Sequence, residues 1–433
     1  MKIRILYLFM VLLLLGSIIG CKQKDYRMNG TYMPYVYKTQ KYTAPPEGYE
    51  PFYINYIGRH GSRYPVSNAD LSFLREQLLD AEKKSSLSNK GKELILQLDR
   101  IEKECNGKWG NLSIIGENQL RGIAQRMLTN FPDLFKDHIY VQSDIAERCV
   151  KSMEAFINEF YKKVSKEQIS IELLPEQNAI LNFFDINLAY LEYKKSGSWR
   201  DLYHNFADSV LQNQRPVRAL FVGEYADTMS NKIHFMHALY STYAILPDTD
   251  ISVSLQDYFT GEELFSLWNV ENVRQYLEKG PSPESKGLAI NMSFPLLEDF
   301  LVTTYNAIAE GEVSADFRFA HAETIIPFAA LLEIPIASQK ESDLNLISTK
   351  WLDFQISPMA ANIQWILYSN DTGHYLIKML FNEKEVSFPI ESATAPYYDW
   401  DEVRSYYQNI LDSLPIIPSF STERQVRYYK EQQ

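Results

Sequence analysis

The feature that most constrains the fold is a strand–loop–helix pattern around residue 60. Residues 51–56, Pro-Phe-Tyr-Ile-Asn-Tyr, are rich in aromatic and β-branched side chains, which is typical of a short buried strand. Ser67 and Asp70 follow with the spacing of a helix-capping box. Residues 57–65 are therefore predicted to form a loop between a strand and a helix. In open α/β sheets, ligands bind at such loops, beyond the carboxyl ends of the strands.

The loop contains the sequence Arg-His-Gly-Ser-Arg-Tyr-Pro at residues 59–65. Each arginine offers a planar fork of donors that suits phosphate oxygens, and a neutral imidazole between them can attack phosphorus. The alternative is a solvated basic turn, or a histidine satisfied by a hydrogen bond in the core. The pattern Arg-His-Gly-x-Arg-x-Pro fixes five positions, and the alternative does not explain them. The chance that these five residues occur in this order in a chain of this length is on the order of one in ten thousand.

Residues 59–65 resemble the signature of the histidine acid phosphatases, a branch of the histidine phosphatase superfamily. Far downstream, residues 316–320 have the pattern of a strand, and His-Ala-Glu follows at residues 321–323. Pro327 comes next and is tolerated near a helix start. The triplet resembles the branch that includes the multiple inositol-polyphosphate phosphatases. The resemblance depends on the two motifs in this order, and it covers most of the chain from about Pro51.

The resemblance implies a role for each motif residue. His60 would be the nucleophile that forms a phosphohistidine, and Glu323 would be the general acid for the leaving alcohol. Four side chains would hold the phosphate: Arg59, Arg63, Arg148 and His321. Arg148 follows a predicted strand at residues 138–143 and precedes a helix, a position that favours anions, although by itself it would be interpreted as a surface residue. No metal or other cofactor is required, because the arginines supply the charge stabilisation.

The resemblance further implies a phosphomonoesterase that acts on inositol polyphosphates such as phytate. The residues alone support only a phosphate ester, so a broad-specificity acid or sugar phosphatase of the same fold remains an alternative. From a different class, a glycan-binding surface lipoprotein would suit the 29 tyrosines. A net charge of −12 argues against sequence-independent binding of nucleic acid. It also means that a polyanionic substrate needs a local positive pocket. The sequence implies no particular protein partner.

The fold class implied by the resemblance is α/β, a mostly parallel sheet flanked by helices (phosphoglycerate mutase-like) with an inserted, mainly helical domain. Long helical patterns, few strand patterns and many aromatic residues distinguish the insertion. The expected organisation is a signal peptide at 1–20, a tether and N-terminal extension at 21–50, an α/β phosphatase domain at 51–170 plus 311–433, and the helical domain at 171–310.

Residues 1–21 have the pattern of a bacterial lipoprotein signal. Lys2 and Arg4 precede an apolar run at residues 5–15, which is too short for a comfortable membrane span. Ile-Ile-Gly-Cys at residues 18–21 resembles a lipoprotein box, and the alternative is an ordinary signal peptide with an incidental cysteine. We therefore expect export across the inner membrane and a lipid anchor on Cys21. The location that we expect is the outer membrane, on its periplasmic or surface face.

A few histidines and cysteines lie outside these motifs. His234 and His237 are three residues apart on a predicted helix and could bind a metal, but no third ligand is evident, so no metal site is predicted. His374 lies in a predicted turn between two strands and is expected to be exposed. Cys105 and Cys149 could pair in an oxidising compartment, which the sequence alone does not decide.

Overall fold

The computed structural model describes residues 26–414. The strands of its central sheet are β1 (Glu50–Arg59), β2 (His138–Asp144), β3 (Ile169–Leu174), β4 (Val313–Ala320), β5 (Asn362–Ser369), β6 (Tyr375–Phe381), β7 (Lys384–Val386) and β8 (Tyr398–Asp399). They lie in the order β3-β2-β4-β1-β5-β6-β7, and β8 pairs with β6. The predicted signal peptide and Cys21 fall on residues 1–25, which lie outside the described residues, as do residues 415–433.

Helices surround the sheet. The longer ones are α1 (Ala69–Lys83), α2 (Asn89–Cys105), α3 (Ile114–Asn130), α4 (Glu147–Phe160), α5 (Leu188–Ser196), α6 (Trp199–Val210), α7 (Lys232–Ile245), α8 (Gly261–Lys279), α9 (Phe294–Glu310), α10 (Ala322–Leu331) and α11 (Trp400–Ser413). Shorter α-helical turns are Phe183–Ile186, Arg215–Arg218, Tyr225–Thr228, Leu288–Asn291, Ile347–Lys350 and Asp353–Ile356. The 3-10 turns are Arg27–Tyr32, Lys166–Gln168, Leu246–Asp248, Gln256–Tyr258, Pro283–Ser285 and Leu344–Leu346.

The predicted α/β fold class, a sheet flanked by helices, is confirmed, although the sheet is mixed and not mostly parallel. The strands β3, β2, β4 and β1 are mutually parallel, while β5, β6, β7 and β8 are joined by antiparallel pairings. The parallel half is the part that matters for a site. Parallel strands bring their carboxyl ends to one edge of the sheet, so residues that follow β1, β2 and β4 must come together there.

Alternating side chains of β1 belong to two separate cores. Ile54 and Tyr56 pack on one face of the sheet with residues of α3 and α4, whereas Tyr53 and Ile57 pack on the other face with residues of α9 and α10. All four side chains are fully buried. This is the period-two pattern of a strand in a sheet covered on both faces, and it fixes the register of β1 because a one-residue slip would exchange the two cores.

The region between β3 and β4 is helical, as the sequence pattern predicts. Thr260 and Glu263 form a capping box at the start of α8. The last helix of this region, α9, lies directly on the sheet, because Asn55 of β1 donates to Phe300 O and to Thr303 Oγ1 at 3.0 and 2.9 Å. Within residues 26–414, no helix combines the length and the apolar character needed to cross a membrane.

The predicted capping box at the start of α1 is wrong. The helix begins at Ala69, its N-cap is Asn68, and no side chain caps it. Asn68 has φ −87° and ψ 7°, whereas a capping residue needs an extended backbone to aim its side-chain oxygen at the first turn. The true cap nearest the loop belongs to α3, where Ser113 accepts from Gly116 N at 3.2 Å.

Helix α3 and the loop after β1 approach each other at two glycines. A Cβ atom on Gly116 would stand 2.1 Å from the backbone oxygen of Ser62. We expect Gly116→Ala to lower the free energy of unfolding by about 1–3 kcal/mol, since backbone atoms must shift to admit the methyl group. Gly261→Ala is the control, because nothing lies within 4 Å of its Cβ position. Urea unfolding measures both variants, and equal stability of the two would contradict the packing argument.

Candidate active site

Three strand ends bring the two sequence motifs together. Arg59 is the last residue of β1 and His321 directly follows β4. The two strands are in parallel register, and the backbone of His60 donates to Ala320 O at 2.9 Å. The imidazole rings of His60 and His321 consequently lie 5.7 Å apart between centroids. Arg148, on the first turn of α4 after β2, completes the group.

The loop after β1 is held against α3 by its backbone. Ser113 donates to Ser62 O from both its N–H and its hydroxyl, at 2.9 and 3.0 Å. Gln119 accepts from Ser62 N and donates to Ser62 Oγ, both at 2.8 Å. The neighbouring Gly61 faces Gly116 so closely that a Cβ would lie 2.6 Å from it. These contacts fix the positions of His60 and Arg63 on either side.

The helical region reaches the same loop through Asp248. This carboxyl group is fully buried and accepts a hydrogen bond from the Ser62 hydroxyl. Burial raises the pKa of Asp248 to about 8, although the Ser62 hydrogen bond and the nearby Arg59 and Arg63 oppose the rise. Asp248 therefore acts as a positioning residue that ties the catalytic loop to the helical region.

His60 is prepared to act as a nucleophile. Its Nδ1 lies 2.9 Å from Gly61 O, and because a carbonyl oxygen only accepts, Nδ1 carries the proton and the lone pair of Nε2 stays free. Burial lowers the pKa of His60 well below its usual value, and the positive charges of Arg59, Arg148 and Arg63 lower it further. The imidazole is thus neutral across the physiological range.

Arg59 and Arg63 are buried and Arg148 is half-buried, and all three have N–H donors that no described residue accepts from. Arg59 Nη1 donates to Thr31 O at 2.6 Å and to Ser357 O at 2.7 Å. Burial and the neighbouring Arg63 lower the pKa of Arg59 to about 10, so it stays charged at neutral pH. The Nε–H donors of Arg59, Arg63 and Arg148 are buried and have no hydrogen-bond partner among the described residues. Three such donors in one place favour an anionic ligand.

His321 extends this positive surface. Its Nε2 lies 3.1 Å from Asp144 Oδ1, and Arg148 Nη2 lies 3.3 Å from its Nδ1. Burial disfavours the imidazolium, but the Cys149 sulfur and the Asp144 carboxylate outweigh burial and raise the pKa of His321 to about 10. Burial also opposes ionisation of Asp144, yet the hydrogen bond from His321 lowers the pKa of that carboxyl group. The Asp144 carboxylate thus orients His321 and favours its protonated form.

Glu323 stands at the rim of the site, on the first turn of α10. Its side chain is one-third exposed, and its Oε1 accepts from Lys279 Nζ at 2.7 Å. Burial opposes ionisation, but the Lys279 ammonium group holds the pKa of Glu323 well below its usual range. In the structure, the predicted proton donor is therefore an ion-paired carboxylate.

All the predicted motif residues within the described chain come together in this site: Arg59, His60, Arg63, Arg148, His321 and Glu323. His234 packs on Phe73 with ring centroids 4.3 Å apart, and His237 has no partner on its buried Nε2 within the described chain. His374 lies away from the site, beside Asp399. Cys105 and Cys149 are both free thiols.

Several residues of the site were not predicted. Asp144 ends β2, at the same sheet edge as the motif loops, so the strand pattern could have identified it. Thr31 and Ser357 contribute only backbone oxygens, and any residue type supplies those. Asp248 and Lys279 come from the helical region, where the sequence has no motif that points to the site.

Comparisons with known proteins agree with this geometry. Phytase A of Emericella nidulans is 26% identical over 160 residues, 36% of this chain and 33% of that protein. Multiple inositol polyphosphate phosphatase 1 of Dictyostelium discoideum is 28% identical over 106 residues, 24% of this chain and 17% of that protein. The chain thus aligns with a third or less of the curated relatives that it matches.

Solved structures share the fold. A multiple inositol polyphosphate phosphatase of Bifidobacterium longum, in complex with inositol hexasulfate, superposes with a TM-score of 0.76 at 22% identity. The match covers 88% of this chain and 97% of that one. The phytase of D. castellii superposes with a TM-score of 0.59 at 13% identity, over 90% of this chain and 88% of that one.

The family profile described as the histidine phosphatase superfamily (branch 2) matches residues 53–382. This range contains both sequence motifs, nearly all of the parallel half of the sheet and the helical region within it. The chain therefore belongs to branch 2 of the histidine phosphatase superfamily.

Proposed function

We propose that the protein is a phosphomonoesterase that works through a phosphohistidine on His60. The observation that carries the proposal is the set of three guanidinium groups, each with a buried Nε–H that has no partner in the described chain, around a neutral imidazole whose proton lies on Nδ1. A phosphate would accept from these donors and from His321. Its phosphorus would then face His60 Nε2, with the charge that develops in the transition state met by fixed cations.

The reaction has two steps. In the first, the bond from His60 Nε2 to phosphorus forms while the bond from phosphorus to the ester oxygen breaks, and the proton on Glu323 passes to that oxygen. The alcohol leaves, and Glu323 is a carboxylate. In the second, water attacks phosphorus and gives its proton to Glu323, the bond from phosphorus to nitrogen breaks, and inorganic phosphate leaves.

Inositol polyphosphates are the substrate class that we propose. Relatives named phytase and multiple inositol polyphosphate phosphatase support this choice, and so does the Bifidobacterium longum structure, which is a complex with inositol hexasulfate. A cavity of about 780 Å³ adjoins the site at Thr31 and Tyr32 and extends past His204, His237 and Arg274. It gives room for a substrate larger than a single phosphate. Family membership leaves the glycan-binding alternative without support.

A broad-specificity acid or sugar phosphatase of the same fold remains the second candidate. It would use the same nucleophile and the same arginines, so only the substrate distinguishes the two. Phosphate release from phytate, glucose 6-phosphate and a chromogenic aryl ester at equal concentrations separates them. A kcat/KM for phytate no higher than for the monoesters would favour the second candidate.

His60→Ala should abolish turnover, because the variant loses the nitrogen that attacks phosphorus, while the arginines still bind phosphate. For the wild type, kcat/KM should fall at acidic pH, once the pH drops below the lowered pKa of His60, which lies below about 6.5. Above that pKa the ring is neutral and can attack. Phosphate release against pH and rapid-quench trapping of acid-labile phosphoprotein measure both. Near wild-type turnover in His60→Ala would overturn the assignment.

Glu323→Gln should reduce phytate hydrolysis by at least about a hundredfold, because a departing alkoxide needs a proton. An aryl phosphate with an acidic phenol should be affected much less, since its leaving group departs without one. The ratio of kcat values on the two substrates is the measurement. Equal losses on both would exclude proton donation as the role of Glu323.

We propose in addition that the mature protein begins at Cys21 and carries a lipid anchor there. The support is the sequence pattern of residues 1–21. Cys21→Ser should release the protein from membranes, because the thiol that receives the lipid is gone. Fractionation after an alkaline wash tests this. A Cys21→Ser protein that stayed in the membrane fraction would refute the anchor.

A further inference from the structure

Lys279 is unusual among the charged residues near the site. It contacts the proposed proton donor, Glu323, but it has no role of its own in the proposed reaction. It is the last residue of α8, and its side chain is 6% exposed. Its ammonium group lies 2.7 Å from Glu323 Oε1. An ionised Glu323 cannot give a proton to a leaving alcohol. The ion pair therefore holds the acid in the wrong protonation state for the first step.

The other groups that face Glu323 contribute less to its ionised state than Lys279 does. Lys279 is the strongest influence that favours the carboxylate, and His321 follows it. Arg59 also interacts with Glu323 across the site. From the helical region, the Asp185 carboxylate and the Tyr190 hydroxyl lie close enough to interact, and these act in the opposite sense or are neutral. Removal of the ammonium group would thus be the largest single change available to Glu323.

Lys279 borders a cavity in which a second phosphate of the substrate would fit. Lys279 and Glu323 line a cavity of about 390 Å³ together with Arg274 and Arg200. Lys194 and His204 also line it, and Glu278 is the one further acidic residue that the described chain contributes to the lining. Arg274 is ion-paired with Glu271 and Glu278, so Lys279 and Arg200 are the wall cations that a second phosphate would contact, in a chain whose net charge is −12. A phosphate here would be attracted locally against the overall field.

We propose that the substrate controls the protonation of Glu323 through Lys279. A second phosphate of the substrate, next to the one being cleaved, binds the Lys279 ammonium group and breaks its ion pair with Glu323. Glu323 can then accept the proton that it later donates, and we call the inhibitory ion pair the brake. The inference rests on the proposed function, because Glu323 must be the proton donor. It makes the enzyme selective through the rate of the chemical step. A monophosphate ester binds the arginines but leaves the ion pair between Lys279 and Glu323 intact.

The sign of the pH effect follows from the proton count. Glu323 must be protonated for the first step, so activity falls as the pH rises through its pKa. With the ion pair intact, the pKa of Glu323 is low, so activity falls at a lower pH. With the ammonium group engaged by a second phosphate, the pKa rises and activity extends to higher pH. The proton itself comes from solvent before the first step and from the attacking water in each later cycle.

The kinetic test compares inositol hexakisphosphate with an inositol monophosphate, because both release a secondary alcohol of the inositol ring. Lys279→Met should raise kcat on the monophosphate roughly three- to tenfold for each unit by which the pKa of Glu323 rises, since the gain in protonated fraction exceeds the loss of acid strength. It should move the basic limb of that profile to higher pH. On the hexakisphosphate it should raise KM and leave the basic limb of kcat nearly unmoved.

Two variants act as controls. Lys194→Met removes a charge from the same wall, where Lys194 Nζ lies 3.6 Å from Glu278 and not beside Glu323, so it should raise KM for the hexakisphosphate but leave the basic limb of kcat in place on both substrates. Lys279→Arg keeps the cation and should behave as the wild type on the monophosphate. An unmoved basic limb in Lys279→Met, or the same loss on both substrates, would overturn the proposal.

A binding experiment tests the brake without turnover and without a mutation at Lys279. Inositol hexasulfate serves as the probe on the wild-type protein, and carbon-13 NMR follows the Glu323 carboxyl group against pH, with Glu323→Gln to assign the signal. The pKa of Glu323 should rise when the probe binds and should not rise with inorganic sulfate alone. No rise with the bound probe would overturn the brake. If the pKa rises but the protein releases no phosphate from inositol phosphates, the proposed function fails and the electrostatic coupling stands.

Discussion

Positive charge buried at one edge of the sheet is the constraint on which the site depends. Removing an ion from water costs several kcal/mol even in a relaxed protein, and three arginines with His321 share one location. Backbone oxygens of Thr31 and Ser357 compensate Arg59, and the Asp144 carboxylate compensates His321. Among the described residues, the compensation is incomplete at the three Nε–H groups. An anion therefore has an electrostatic reason to bind where the strands end.

The same charges determine how His60 behaves. A histidine at the centre of a cationic cluster resists protonation, so the charges proposed to bind phosphate also keep the proposed nucleophile unprotonated. The Gly61 carbonyl group fixes the proton on Nδ1, and Gly61 itself can lie so close to Gly116 only because neither residue has a side chain. Substrate binding and nucleophile activation thus have one physical origin.

How far the sequence predicts this site depends on where each residue lies in the chain. Arg59, Arg63 and His321 were predictable, because each adjoins a strand whose pattern is clear and whose carboxyl end must lie at the shared edge. The antiparallel half of the sheet and the start of α1 were less predictable, since pairing partners and backbone angles are set by tertiary contacts. Lys279 could not be inferred, because only the fold brings a helix end to Glu323.

The helical region contributes side-chain contacts to both motifs of the site. Its residue Asp248 holds the catalytic loop through Ser62, and its residue Lys279 sets the charge of Glu323. One contact orients the loop of the proposed nucleophile, and the other pairs with the proposed proton donor, so the helical region touches both groups that the proposed reaction needs. Because both contacts come from side chains outside the two motifs, the proposed function predicts that substrate preference and pH dependence change with these residues while the motifs stay the same.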